Sequence, residues 1–390
     1  MSYQKLNRDQ HFQNPGPKRI LAMDGGGLRG ILTLGMLKQV EDILRARHGG
    51  GDDFRLCHYF DLITGTSTGS IIAAALSLGM TVDEIIDQYN RLGNKVFKKT
   101  WLRHGILRAS YSSEPLIQEL KAIFGENTAL RDEKLQTGFL AVTKRIDSGS
   151  PWPLGNNPKG KYFNQKKGSS TIGNGDYPLW QVVRASTAAP TYFEGEGIEI
   201  SKAALGKDAV KGYFVDGGVS PYNNPSLQAV MYATLGGYGI GWESGTDKLL
   251  VVSLGTGLAD ITHKPSKIEA ANGLVALSSL MDDNASLMET MLQWMSASPT
   301  AAKIDNELGT LEGDLIGGQA HMSYARYNTE LTDDVLRGKL GLVLTDEQVK
   351  NMSEMDAPEN MPMLQKIGLL VGRNDIKPEH FPAAFDLPEE

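Results

Sequence analysis

Ser67 stands in Gly65-Thr66-Ser67-Thr68-Gly69, between the apolar run 59–64 and the helical run 71–76. A serine framed by glycines at a strand-to-helix junction is the pattern of a nucleophile elbow. The turn strains the backbone at the serine, and only small flanking residues avoid a clash. The helix that follows aims its unpaired N–H groups and positive end at the reacting atoms. The chemistry would be attack by a hydroxyl on an acyl carbonyl, and that hydroxyl needs a base. Lys211-Gly212-Tyr213-Phe214-Val215 reads as a short strand ending in Asp216-Gly217-Gly218. A carboxylate there can serve if it is held in hydrogen-bond reach of the serine. Alone, Asp-Gly is as readily an ordinary turn pair.

A second glycine cluster follows the first strand, 18–23, as Asp24-Gly25-Gly26-Gly27-Leu28-Arg29-Gly30. Three consecutive glycines let backbone N–H groups turn toward a ligand with no side chain in the way. That suits an oxyanion, either a tetrahedral acyl intermediate or a phosphate. Gly25, Gly27 and Gly30 also satisfy a dinucleotide fingerprint, which further requires an acidic residue ending the second strand. Asp52 and Asp53 precede that strand rather than end it, and no Gly-Lys-Ser or Gly-Lys-Thr closes a Walker loop. Two function classes remain: a serine acyl hydrolase, or a phosphate- or nucleotide-binding protein that uses residues 24–30 without acyl hydrolysis.

Together the segments Asp24–Gly30, Gly65–Gly69 and Asp216–Gly218 resemble the three signatures of the patatin-like phospholipases, in that family's order. Ala185-Ser186-Thr187-Ala188-Ala189-Pro190 resembles the family's segment before the aspartate, and nothing in these motifs departs from the pattern. The resemblance spans residues 19–257. It implies a three-layer α/β fold, a Ser–Asp dyad and hydrolysis of lipid acyl esters of the phospholipase A or lysophospholipase type. By the family pattern Ser67 is the nucleophile, Asp216 the base, and Gly25, Gly26 and Gly27 frame the oxyanion hole. Arg29 matches the family's arginine in the glycine loop, where it supports the loop or meets a lipid phosphate. No metal or cofactor is expected.

A histidine triad is the rival to the dyad, since α/β-hydrolases place Ser, then Asp or Glu, then His along the chain. His263, His321 and His380 follow Asp216, all in polar surroundings, and only His263 lies in a loop just past an apolar strand end. The dyad is the expectation.

The elements that position these residues alternate between strand and helix, which implies a largely parallel sheet covered on both faces. Strands read at 18–23, 59–64, 139–143, 211–215, 249–254 and 324–328. Helices read at 31–43, 71–76, from Thr81 with a Thr81–Glu84 capping box, 114–124, 270–295, 345–355 and 361–371. Residues 148–175, rich in Gly, Pro, Asn, Lys and Ser, read as a long surface loop. The expected organisation is a polar arm over 1–17, a catalytic domain over 18–330 and a helical C-terminal cap over 331–390.

The net charge of −7 argues against nucleic acid as a partner. Cys57 is the only cysteine, which excludes an intrachain disulfide and fits a reducing compartment. Residues 1–17 carry no hydrophobic signal region and no window approaches a membrane span, so a cytoplasmic protein meeting the inner face of the membrane peripherally is expected. Two segments suit a phospholipid surface. Residues 94–108 interleave Lys95, Lys98, Lys99, Arg103 and Arg108 with Val96, Phe97, Trp101 and Leu102, and read at least as readily as a surface helix and loop whose apolar half is buried in the core. Met281, Met288, Met291 and Met295 fall at helical spacing beside Trp294, a stripe that reads first as ordinary core. Some bacterial members of the family are effectors switched on by a cyclic-nucleotide signal. The resemblance therefore admits a small-molecule activator, for which the C-terminal part offers no motif.

Overall fold

The computed structural model describes residues 3–49, 51–96, 111–190, 192–203, 208–258 and 283–388. His263, most of the basic segment 94–108 and the start of the methionine helix lie outside them. Nine strands form one sheet: β1 (Lys18–Met23), β2 (Leu62–Thr66), β3 (Gly138–Arg145), β4 (Ser150–Gly155), β5 (Glu196–Ser201), β6 (Val210–Asp216), β7 (Gly245–Leu254), β8 (Ser296–Ala297) and β9 (Met322–Tyr327). The spatial order is β5-β6-β3-β2-β1-β7-β9-β8, with β4 also paired to β3. Strands β3, β2, β1, β7, β9 and β8 run parallel; β4 and β6 are antiparallel to β3, and β5 to β6.

Alternate residues of the central strands feed two cores. Leu21, Met23, Ile63, Val252 and Ala325 join one, which also holds residues of α2 (Gly30–Arg47), α4 (Thr68–Ser77), α5 (Val82–Val96), α6 (Glu114–Phe124), α7 (Leu179–Ser186) and α11 (Met361–Asp375). Ile20, Leu62, Val251 and Tyr324 join the other, with α8 (Ser226–Thr234) and α9, helical over 283–294. Strands buried on both faces explain the near-continuous apolar runs from which the parallel sheet is expected. Met288 is buried in the second core, and Met291 and Met295 pack at its edge.

Residues 148–175 differ from the expected loop, because they begin with β4, which pairs with β3 from Ser150 to Gly155. Pro151 and Pro153 mask it in the sequence; prolines are tolerated on a strand paired along one edge only. The short helices α1 (Arg8–Gln13) and α3 (Leu56–Tyr59) flank β1 and β2, and His11 and Phe12 of α1 are buried. In the C-terminal part, α10 (Asp346–Asn351) is capped by Thr345 through Gln348, and it stops short of the expected end at 355. Helix α11 continues through Gly372 to Asp375. Gly372 is no terminator here: a Cβ on it would stand 3.3 Å from the Met36 Cα, so it serves the close crossing of α11 over α2.

Candidate active site

Parallel register brings the ends of β1, β2 and β7 level: Met23 pairs with both Gly65 and Leu254. The loops that follow, 24–29, the Ser67 turn and 255–257, therefore share one edge of the sheet, where ligands of open α/β sheets bind. Asp216 arrives from the opposite direction. β3 carries β2 along its first half and β6 along its second, with Thr66 opposite Val142 and Asp216 opposite Thr143. Neighbouring residues of one strand thus hold the end of β2 beside the end of β6.

Ser67 has φ 53° and ψ −126°, a left-handed φ that a non-glycine residue adopts only under constraint. The constraint is local. Side chains at Gly65 or Gly69 would collide, the first with the backbone of Gly69 and Ser70, the second with that of Met23 and Asp24. Helix α4 begins at Thr68, so its N-terminus lies directly behind the serine.

Ser67 Oγ donates to Asp216 Oδ2 at 2.5 Å, and Asp216 Oδ1 accepts from the Gly218 N–H at 2.7 Å. Asp216 is buried. Burial pushes its carboxyl up to about 6, against the Ser67 and Gly218 hydrogen bonds and the Arg184 charge, which pull it down. The result is a carboxylate ionised at neutral pH and more basic than an exposed one. Among the described residues no histidine hydrogen-bonds to either group; His380 Nδ1 instead meets the Tyr327 hydroxyl at 2.8 Å.

The glycine loop lies against the serine, since a Cβ on Gly25 would stand 3.1 Å from the Ser67 Cβ. Its carbonyls are tied back. Gly25 O accepts from Thr256 Oγ1 at 3.1 Å and Asn223 Nδ2 at 3.3 Å; Gly27 O accepts from Thr68 Oγ1 at 2.8 Å and the Tyr89 hydroxyl at 2.6 Å. The Gly25 N–H is used by Asn223 O at 3.2 Å and the Leu28 N–H by Met355 O at 2.7 Å. The N–H groups of Gly26 and Gly27 have no partner among the described residues, which leaves them as the open donors. Arg29 is buried at the start of α2. Among the described residues no cluster of His, Cys, Asp or Glu is arranged to hold a metal.

Sequence reasoning missed the braces. Thr256, Asn223 and Tyr89 come from three distant segments, and only Thr256, in a Gly-Thr-Gly strand end, carries a local signal. Ser186 sits in the noticed segment 185–190 without a role; its Oγ accepts from the Ser67 N–H at 2.9 Å.

A family model described as Patatin-like phospholipase matches residues 21–230, which is 210 of the 390 positions. The chain belongs to the patatin-like phospholipase family. All the motifs of the site fall inside the matched range. This patatin-like chain is 29% identical over 228 residues to a protein of Vibrio cholerae named cGAMP-activated phospholipase, covering 56% of the chain and 58% of that protein. It is 32% identical over 225 residues to one of Escherichia coli named cUMP-AMP-activated phospholipase, covering 57% and 61%. The patatin-like chain thus spans less than two thirds of the length of these curated relatives. Among solved structures, VipD from Legionella pneumophila is a remote likeness, with a TM-score of 0.33 and 12% identity over 94% of this chain and 71% of its own.

Proposed function

We propose that the protein is a serine lipid acyl hydrolase that cleaves acyl esters of phospholipids, of phospholipase A or lysophospholipase type. The observation that carries this reading is the 2.5 Å hydrogen bond from a strained Ser67 to a buried Asp216. Asp216 takes the hydroxyl proton as Ser67 Oγ attacks the acyl carbonyl. The N–H groups of Gly26 and Gly27 stabilise the oxyanion of the tetrahedral intermediate, while Gly25 holds the loop against the serine. Asp216 then delivers its proton to the leaving alcohol oxygen, and the acyl group stays on Ser67. Water, deprotonated by the same carboxylate, releases the fatty acid and restores the serine. Arg29 braces the loop or meets an anionic head-group.

The cyclic-nucleotide activation in the names of the two bacterial relatives supports a small-molecule activator of that type. Working at a phospholipid surface, the enzyme would be peripheral and cytoplasmic, with residues 331–390 as a cap on the catalytic unit. No helix of the described residues is long and apolar enough to cross a membrane. The test is mass spectrometry of products from mixed bacterial phospholipid vesicles, with and without added cyclic dinucleotides. Free fatty acid and lysolipid appearing with the wild-type protein and not with Ser67→Ala is the expected result. Nucleotide binding with no lipid product under any condition would favour the phosphate-cradle reading of residues 24–30.

A further inference from the structure

Arg326 is a largely buried cation on β9, its side chain 12% exposed, two strands away from the strand that opens the glycine loop. Its guanidinium crosses beneath the end of β7 and grips Asp24 along both edges, Nη1 to Oδ1 at 2.9 Å and Nη2 to Oδ2 at 2.6 Å. Nη1 also donates to Ser253 Oγ of β7 at 2.9 Å, and Nε lies 3.3 Å from Glu289 Oε2 of α9. The Arg326 backbone N–H donates to Thr300 Oγ1 at 2.8 Å, so the residue is held at both ends. Asp24 is the last residue before Gly25, and its own N–H is fixed by Leu254 O at 3.0 Å.

We infer that Arg326 is a positioning residue for the oxyanion loop, acting through its two-edged grip on Asp24. This rests on the hydrolase reading of Ser67 and the loop. A planar guanidinium bonded twice to a carboxylate fixes direction as well as distance, which a lysine ammonium does not. Direction is what the site needs at Asp24. The chain leaving β1 must present the Gly26 and Gly27 N–H groups to one point beside Ser67, and catalytic donors tolerate little misplacement. A buried ion pair adds little stability over apolar packing of the same volume, so stability alone is a weak use for this one. Glu289 shares the guanidinium, and burial pushes the carboxyls of both Asp24 and Glu289 upward while the Arg326 charge opposes it. The grip thereby also ties α9 to the loop.

The test compares wild type, Arg326→Lys and the neutral triple Asp24→Asn/Glu289→Gln/Arg326→Gln, which leaves neither Asp24 nor Glu289 as a stranded charge if the single variant misfolds. For each, kcat and KM on a soluble ester are measured beside the inhibition constant of a trifluoromethyl ketone, whose adduct on Ser67 carries the oxyanion. Expected are a native melting profile, kcat lowered roughly 10- to 100-fold, KM within about threefold, and ketone affinity falling in step with kcat/KM. A merely structural role would lower the melting temperature or the active fraction and leave the ketone affinity of the folded fraction unchanged. Folded variants with wild-type kcat and ketone affinity overturn the inference. A wild-type protein that neither hydrolyses esters nor binds the ketone overturns the hydrolase reading, and the inference falls with it.

Discussion

The backbone N–H of Ser67 donates to Ser186 Oγ at 2.9 Å, and the Ser186 hydroxyl donates in turn to Val142 O at 2.7 Å. The acceptor carbonyl belongs to the residue opposite Thr66 on β3, so one hydroxyl of α7 clips the strained elbow onto the sheet. The clip also takes up the Ser67 amide, which leaves oxyanion stabilisation to donors outside the serine itself.

Ser186→Ala should therefore leave the part-buried Ser67 amide and the buried Val142 carbonyl without these partners. The expected cost is about 1–3 kcal/mol in stability, read by denaturant unfolding. The turnover number should fall roughly tenfold or more as the elbow relaxes, with a nearly unchanged Michaelis constant.

Asp216 ties activity to pH. Its carboxyl must be ionised to accept the Ser67 proton, and burial holds it at about 6. The rate profile should fall off on the acid side with a midpoint near that value. Stability runs the other way. A raised carboxyl favours the folded state below its unfolded value of 3.8, and that contribution is lost as pH rises through about 6. Asp216→Asn should consequently be inactive yet melt no lower than wild type at pH 7.5. A melting temperature well below wild type there would show that the charged form stabilises the fold.

Gly26→Ala probes the open donors. A Cβ at Gly26 would run into the Thr256 side chain, so the loop must shift. Losing one aligned donor costs about 3–4 kcal/mol in the transition state and little in the ground state. The turnover number should drop by roughly two orders of magnitude at nearly constant Michaelis constant. Normal ester hydrolysis with lost nucleotide affinity would make the loop a phosphate cradle.

Arg29→Ala distinguishes support of the loop from recognition of a head-group. If the guanidinium meets lipid phosphate, activity on anionic phospholipids should fall several-fold more than on neutral esters. If it braces the loop from its buried place at the start of α2, both should fall together. Parallel assays on the two vesicle types separate the cases.

What the sequence makes legible is what short-range physics encodes. The glycines around Ser67 are needed within two residues of it, and Asp216 ends its own strand, so both stand out without a structure. The apolar alternation that splits Ile20 from Leu21 and Val251 from Val252 is likewise local, and the two-faced sheet follows from it. The braces are not local. Ser186 is 119 residues from Ser67, and Arg326 is 302 from Asp24. Their types give only a faint cue, in Arg326 the one charge within β9. Prolines hide strand β4, and the contact of Met355 with the glycine loop is hidden because α10 ends at Asn351, short of the helix expected over 345–355.

The dyad is tested most directly by a fluorophosphonate, with the adduct located by mass spectrometry in wild type, Ser67→Ala, Asp216→Asn and His263→Ala. The predicted result is one adduct, on Ser67, in wild type and His263→Ala alike. Ser67→Ala should form none, and Asp216→Asn should label on the order of 10³-fold more slowly. Wild-type labelling in Asp216→Asn, or its loss in a folded His263→Ala protein, would contradict a Ser67–Asp216 dyad.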